Sequence, residues 1–261
     1  MAGPRYVVGT SGYSFADWVG TFYPPGTRRG DMLEIYAGRF ETVELNFSFY
    51  RMPTAETLAR MADRTPEGFT FWVKANRQIT HEGDPGVTAA FVDALAPLQS
   101  AGRLAGVLLQ FPQSFHRTAA SRQHLADALA AFQNRLAEPL AVEFRHASWD
   151  HPRTCAGLRA RNVSVVVPDA PAIPALFRPE PIVTGPVGYL RLHSRDASKW
   201  YAGAAERYDY DYSEDELRGI LAHWQGPAAA AETTYTFFNN CHRGQAAANA
   251  QAFRRILGQI E

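Results

Sequence analysis

The chain has 261 residues, 46% hydrophobic and 20% charged, and its 26 basic and 26 acidic side chains balance to a formal net charge of zero. That composition supports a large buried core, and its neutrality leaves no global field to draw the protein to nucleic acid or an anionic membrane. MAGPRYVVGT at the start holds no apolar run of signal-peptide length, no stretch reaches the ~20 apolar residues of a membrane span, and Cys155 and Cys241 are far apart. A cytoplasmic protein with no membrane partner is expected.

Short β-branched runs recur along the chain: YVVGT (6–10), TVELNF (42–47), FTFWVKA (69–75), GVLLQF (106–111), LAVEFR (140–145), VSVVV (163–167), VGYLRLH (187–193) and TTYTFFN (233–239). Between most of them lie stretches with apolar residues at i, i+3 and i+4, the spacing of helices with one buried face. These are 31–40, 87–104, 121–136, 153–162, 213–224 and 245–260. Ser121 marks one helix start, and Ser213 with Glu216 three residues later reads as a capping box. Eight strands alternating with helices, without a linker, predict an α/β fold: a (β/α)₈ TIM-type barrel, with residues 1–261 forming a single domain. An open doubly wound sheet would call for a GxGxxG turn after an early strand, and GTSGYS does not supply one.

Two connections are long and dense in aromatics and charge, 11–30 and 194–212. Both follow a strand, and in a barrel the connections leaving strand C-termini build the functional face. Residues 194–212 carry Gly203 near their middle. They are expected either to close as a lid, bringing Lys199 and Trp200 over the rim, or to pack there permanently.

Polar groups crowd the ends of these strands. In VELNF, period-two alternation puts Glu44 and Asn46 on one face, and in a barrel that face is the mouth. Going round, the candidates are Ser11, Glu44, Asn46, Lys74, Gln110, Glu143, Arg145, Asp169, Arg191, His193, Asn239 and Asn240. Charges buried in strands are costly unless paired, so a rim of them points to a site. Lys74, Arg145 and Arg191 form an expected anion clamp. Glu44, Glu143 and Asp169 are acid, base or ligand candidates, and His193 is the candidate proton shuttle. Only Lys74 and Lys199 are lysine among the 26 basic residues, and lysine is the one whose pKa neighbours can lower into the working range of a base. Trp18, Tyr50 and Arg51 join the ligand-binding candidates as stacking and charge partners close to the rim. His81, His146 and His151 follow strand ends, but no HxH or HExxH spacing occurs, so neither a metal nor a cofactor is expected.

GTSGYSFADWVGTFYP, ELNFSFYRMP, FWVKANRQITH, VLLQFP, VEFRHASW, YLRLHSR and FFNNCHRGQAAANA, taken together and in this order, resemble the YecE-like family, the domain of unknown function 72. The resemblance runs from about residue 7 to the C-terminal helix. It implies a TIM-type barrel in a bacterial cytoplasmic protein, without an assigned reaction. Tyr13 stands where the family commonly has Trp, and Ser194 where Gly commonly follows the histidine; neither change removes an ionisable rim residue.

The expected function is acid/base or hydrolytic chemistry, as a hydrolase or isomerase, on a small anionic ligand of phosphorylated sugar-like or nucleotide-like type. The alternative is a non-catalytic module that binds nucleic acid or a small anionic regulator. An enclosed pocket favours the first, whereas an open basic groove over Arg28, Arg29, Arg51 and Arg77 favours the second.

Overall fold

The structure, a computed structural model, describes residues 3–261. Its strands are β1 (Arg5–Thr10), β2 (Thr42–Leu45), β3 (Thr70–Lys74), β4 (Leu104–Gln110), β5 (Leu140–Glu143), β6 (Ser164–Asp169), β7 (Val187–Leu192) and β8 (Thr233–Phe238). All eight pair in parallel in the order β1-β8-β7-β6-β5-β4-β3-β2. The helices are α1 (Met32–Ala37), α2 (Phe47–Tyr50), α3 (Ala55–Asp63), α4 (Arg77–Thr80), α5 (Thr88–Ser100), α6 (Ala119–Gln133), α7 (Pro152–Arg159), α8 (Ala204–Arg207), α9 (Glu214–Ala228) and α10 (Gln245–Ile256). This is the expected (β/α)₈ architecture, although among the described residues the connection from β6 to β7 carries no helix.

Each strand is buried on both faces, as a parallel barrel requires. Val43, Leu45, Phe71, Val73, Val107, Leu109, Val142, Val165, Val167, Leu190 and Leu192 face the helix layer. Trp72, Leu108, Ala141, Val166, Val187, Tyr189 and Phe237 fill the barrel interior. Trp72 meets Tyr189 edge-on at 4.7 Å between ring centroids. Its indole needs Gly106 on the neighbouring strand, since a Cβ there would lie 2.5 Å from the Trp72 ring.

The ring closes differently from the rest of the wall. β1 and β2 meet only through the bridge Ser11↔Glu44, with Gly12 N–H donating to the Glu44 carbonyl at 2.8 Å. Gly12 sits at φ +98°, in the left-handed region open to glycine. Side chains make up for the missing ladder. Outside the barrel, the buried Tyr36 hydroxyl accepts from Thr10 N at 2.9 Å and donates to the Thr42 carbonyl at 3.1 Å.

Two local expectations change. Helix α6 starts at Ala119 with Thr118 as its cap, not at Ser121. Helix α3 was absent from the helical stretches read off the sequence; Thr54 caps it through Thr57 N, and Leu58, Met61 and Ala62 form its buried face. The capping box of Ser213 and Glu216 is present.

Candidate functional site

The inward-facing phase of β2, β5 and β7 delivers Glu44, Glu143 and Arg191 to one buried point. Arg191 forks onto Glu44, with Nε donating to Oε2 at 2.9 Å and Nη2 to Oε1 at 2.5 Å. Nη1 donates to Glu143 Oε2 at 2.6 Å, and Nη2 also reaches Ser11 Oγ at 3.3 Å. Tyr189, one layer below, donates its hydroxyl to Glu44 Oε2 at 2.7 Å. A planar guanidinium suits this geometry because its donors are fixed in a fork. Arg191 is 1% exposed and its donors are turned to protein acceptors. It braces the site, and the expectation that it clamps a ligand anion is not met.

Arg145 lies nearer the mouth, with its Nε 2.5 Å from Glu143 Oε1 and its side chain 12% exposed. His193 Nε2 is 3.3 Å from the same oxygen. Neither contact has good hydrogen-bond geometry, so Glu143 Oε1, Arg145 Nε and His193 Nε2 are buried together without directed partners. Burial would raise the Glu143 pKa, but the charges of Arg145 and Arg191 overcome it and hold the carboxyl well below the usual range. Glu143 is therefore a fixed anion and not a general acid.

His193 is fully buried, and Asn239 Nδ2 donates to its Nδ1 at 2.9 Å, which places the ring proton on Nε2 toward Glu143. Burial, with Arg145 adding, lowers its pKa to about 3 against the pull of Glu143. A ring that stays neutral at physiological pH does not shuttle protons by titrating there; its Nε2 faces Glu143 Oε1 at 3.3 Å.

Lys74 ends β3 with its ammonium donating to Gln110 Oε1 at 2.7 Å and lying 4.1 Å over the Phe49 ring. Gln110 is oriented in turn by donating Nε2 to the Phe111 carbonyl at 2.7 Å. Burial lowers the Lys74 pKa to about 7, Arg191 adding to the effect and Glu143 and Glu44 opposing it. The residue as a whole is half-buried, with its ammonium enclosed by Gln110 and the Phe49 ring.

Trp200 covers this cluster. Its buried ring lies 6.2 Å from His193 and beneath the Arg145 guanidinium at 5.8 Å, while its carbonyl accepts from Arg207 Nε at 2.6 Å. Lys199 from the same connection does not reach the rim; it pairs with Asp209 at 3.4 Å.

Several other candidates lie elsewhere. Asp169 falls in the outward phase of β6, where Arg195 grips it at 2.8 Å and Tyr212 donates at 2.8 Å. Asn240 is buried on Asn249 and the Tyr210 carbonyl. Trp18 is a plug under the first connection, fully buried, its Nε1 donating to the Cys241 carbonyl at 2.7 Å. His146 and His151 accept from the backbone of Ser148 and Arg153 as helix caps. Asn46, Tyr50 and Arg51 line a separate cleft of about 710 Å³ that Ser11 joins to the barrel mouth.

An eight-stranded parallel barrel with its polar groups gathered at the C-terminal strand ends defines a TIM-type barrel protein. D-psicose 3-epimerase shares this fold, with a TM-score of 0.51 at 13% identity over 97% of this chain and all of that one. The family model described as "Protein of unknown function DUF72" matches residues 7–261, and the chain belongs to that family. A DUF72 family protein of Thermotoga maritima MSB8 is 37% identical, with a TM-score of 0.89 covering 97% of this chain and 99% of that one. UPF0759 protein YunF of Bacillus subtilis (strain 168) is 27% identical over 96% of this chain and 94% of its own length. UPF0759 protein YecE of Escherichia coli (strain K12) is 31% identical over 57% of this chain and 56% of its own.

Proposed function

We propose that the protein is an enzyme that uses Lys74 as a general base on a small anionic substrate held at the barrel mouth. The observation that carries this reading is the placement of a half-buried lysine, held by Gln110 among the charges of Glu143, Arg145 and Arg191, with its pKa brought to about 7. A base titrating near the working pH combines a useful free-amine fraction with the strongest driving force available there. Gln110 holds the amine in place by accepting one of its hydrogens. Arg145 supplies positive charge to the substrate anion, and the braced pair Glu44–Arg191 keeps Glu143 ionised beneath it. The reaction class is proton abstraction, which serves an isomerase at carbon or a hydrolase through water.

The two-lysine composition makes the test clean. Competitive labelling with trace acetic anhydride across pH 5 to 11, read by mass spectrometry, should show Lys74 half-reactive near pH 7, with Lys199 in the same digest as reference. An ordinary lysine profile for Lys74, half-reactive at about 10.4, would remove the base from this reading. Across phosphorylated sugars and nucleotides, any turnover found should be lost in Lys74→Met.

A further inference from the structure

We propose that the cleft between the first and second strand–helix connections binds a nucleoside monophosphate. The cleft has the volume of a small-molecule site, about 710 Å³ against the ~300–1,000 Å³ usual for such pockets. Its charged lining is all of one sign. Arg29, Arg51, Arg60 and Arg64 face it, and no carboxylate does. Arg60 and Arg64 are shared with Glu56 and Glu34, whereas among the described residues Arg29 and Arg51 have no carboxylate partner. Two unneutralised guanidiniums at one volume suit a phosphate, which accepts their paired donors in a fork.

The rest of the lining suits a flat ring. Tyr50 stands 77% exposed at the rim, and Phe47 and Phe15 lie deeper. Exposed aromatic faces next to arginine make stacking platforms for a base. Asn46 Oδ1 is buried in this lining with no hydrogen-bond partner. An unpaired buried amide acceptor beside the cleft is costly, and a ligand N–H or O–H that reached it, from a base edge or a ribose, would satisfy it. A sugar phosphate would use the arginines and leave the aromatic wall in water. A nucleoside would do the reverse.

The cleft is tied to the reactive lysine by one short helix. Tyr50 of α2 meets Phe49 edge-on at 5.0 Å, and Phe49 lies beneath the Lys74 ammonium. Ser48 of the same turn donates to the Lys74 carbonyl at 2.6 Å. That the bound nucleotide is also the substrate rests on the proposed function above; that it binds does not.

The experiment is calorimetric titration of the whole chain with AMP, GMP, CMP and UMP, with adenosine and inorganic phosphate as the separated halves. The preferred monophosphate should bind at least about tenfold tighter than either half. The exchange Arg51→Met should weaken the nucleotide and spare the nucleoside, while Tyr50→Ala should weaken both. Both positions are solvent-exposed, so the variants should melt with the wild type. Binding is read here without turnover, and the Lys74 labelling profile is read without nucleotide, which separates a failed cleft from a failed base. The proposal is overturned if no monophosphate binds at millimolar concentration, or if phosphate alone binds equally well. It is also overturned if the variants bind unchanged, or if a single-stranded ten-nucleotide oligomer binds more than about a hundredfold tighter than any monomer, which would make the ligand a polymer.

Discussion

Replacing Glu44 by alanine is expected to cost about 3–5 kcal/mol of unfolding free energy, the usual penalty for stranding one partner of a buried ion pair. Glu44 takes the Arg191 fork and the Tyr189 hydroxyl, and all three side chains are essentially excluded from water. The exchange therefore leaves a guanidinium and a phenol short of acceptors at once. Arg191→Met added to the same chain should regain only a small part of the loss, because it removes the stranded guanidinium but leaves the buried Glu143 carboxylate without its Nη1 donor. Urea unfolding of the two variants beside the wild type measures both quantities. A single variant as stable as the wild type would mean that the fork does not form.

Acid should weaken the fold through His193 well before the carboxylates protonate. Its folded pKa, about 3, lies below the ordinary value of 6.5. The unfolded chain therefore takes up the proton first, and the stabilisation that is whole above pH 6.5 drains away as pH falls toward 3. Between pH 7 and pH 5 the loss from this one ring is about 2 kcal/mol. Glu143 adds nothing in that window, since its own lowered pKa makes its contribution disappear only below the ordinary carboxylate range. In His193→Gln the stability difference between pH 7 and pH 5 should shrink by the same amount. Parallel pH profiles for the two proteins would show that His193 is solvated or protonated in the fold.

The barrel was legible because a parallel strand buried on both faces leaves an unmistakable β-branched run, and because Glu44, Lys74, Glu143 and Arg145 sit at the ends of such runs. Phase was harder to read. In TVELNF the polar residues alternate and reveal the inward face, whereas Val165–Pro168 form an unbroken apolar run, so nothing next to Asp169 shows that it faces the helices. The role of Arg191 was hidden for another reason: cation and acceptors lie 147 and 48 residues apart in the chain, and a brace and a ligand clamp look the same in sequence. Trp18 misled because loop aromatics serve as plugs as readily as stacking walls. Scarcity singled out two lysines that the fold places differently: Lys74 on Gln110 at the end of β3, and Lys199 paired with Asp209 away from the rim.

The junction of β1 and β2 gives the barrel a mechanical character that its even outline conceals. Seven neighbouring strand pairs are woven together by backbone ladders, but this eighth is fastened by a buckle: a phenol on the outer side and a guanidinium on the inner. A hoop with one fastened gap yields there first. Amide exchange around Gly12 and Glu44 should accordingly outpace exchange in the rest of the wall, and thermal breathing should part these two strands while the others hold. Ser11, Gly12, Leu45 and Asn46 belong both to that gap and to the arginine-lined cleft, so whatever fills the cleft also grips the loose ends of the hoop.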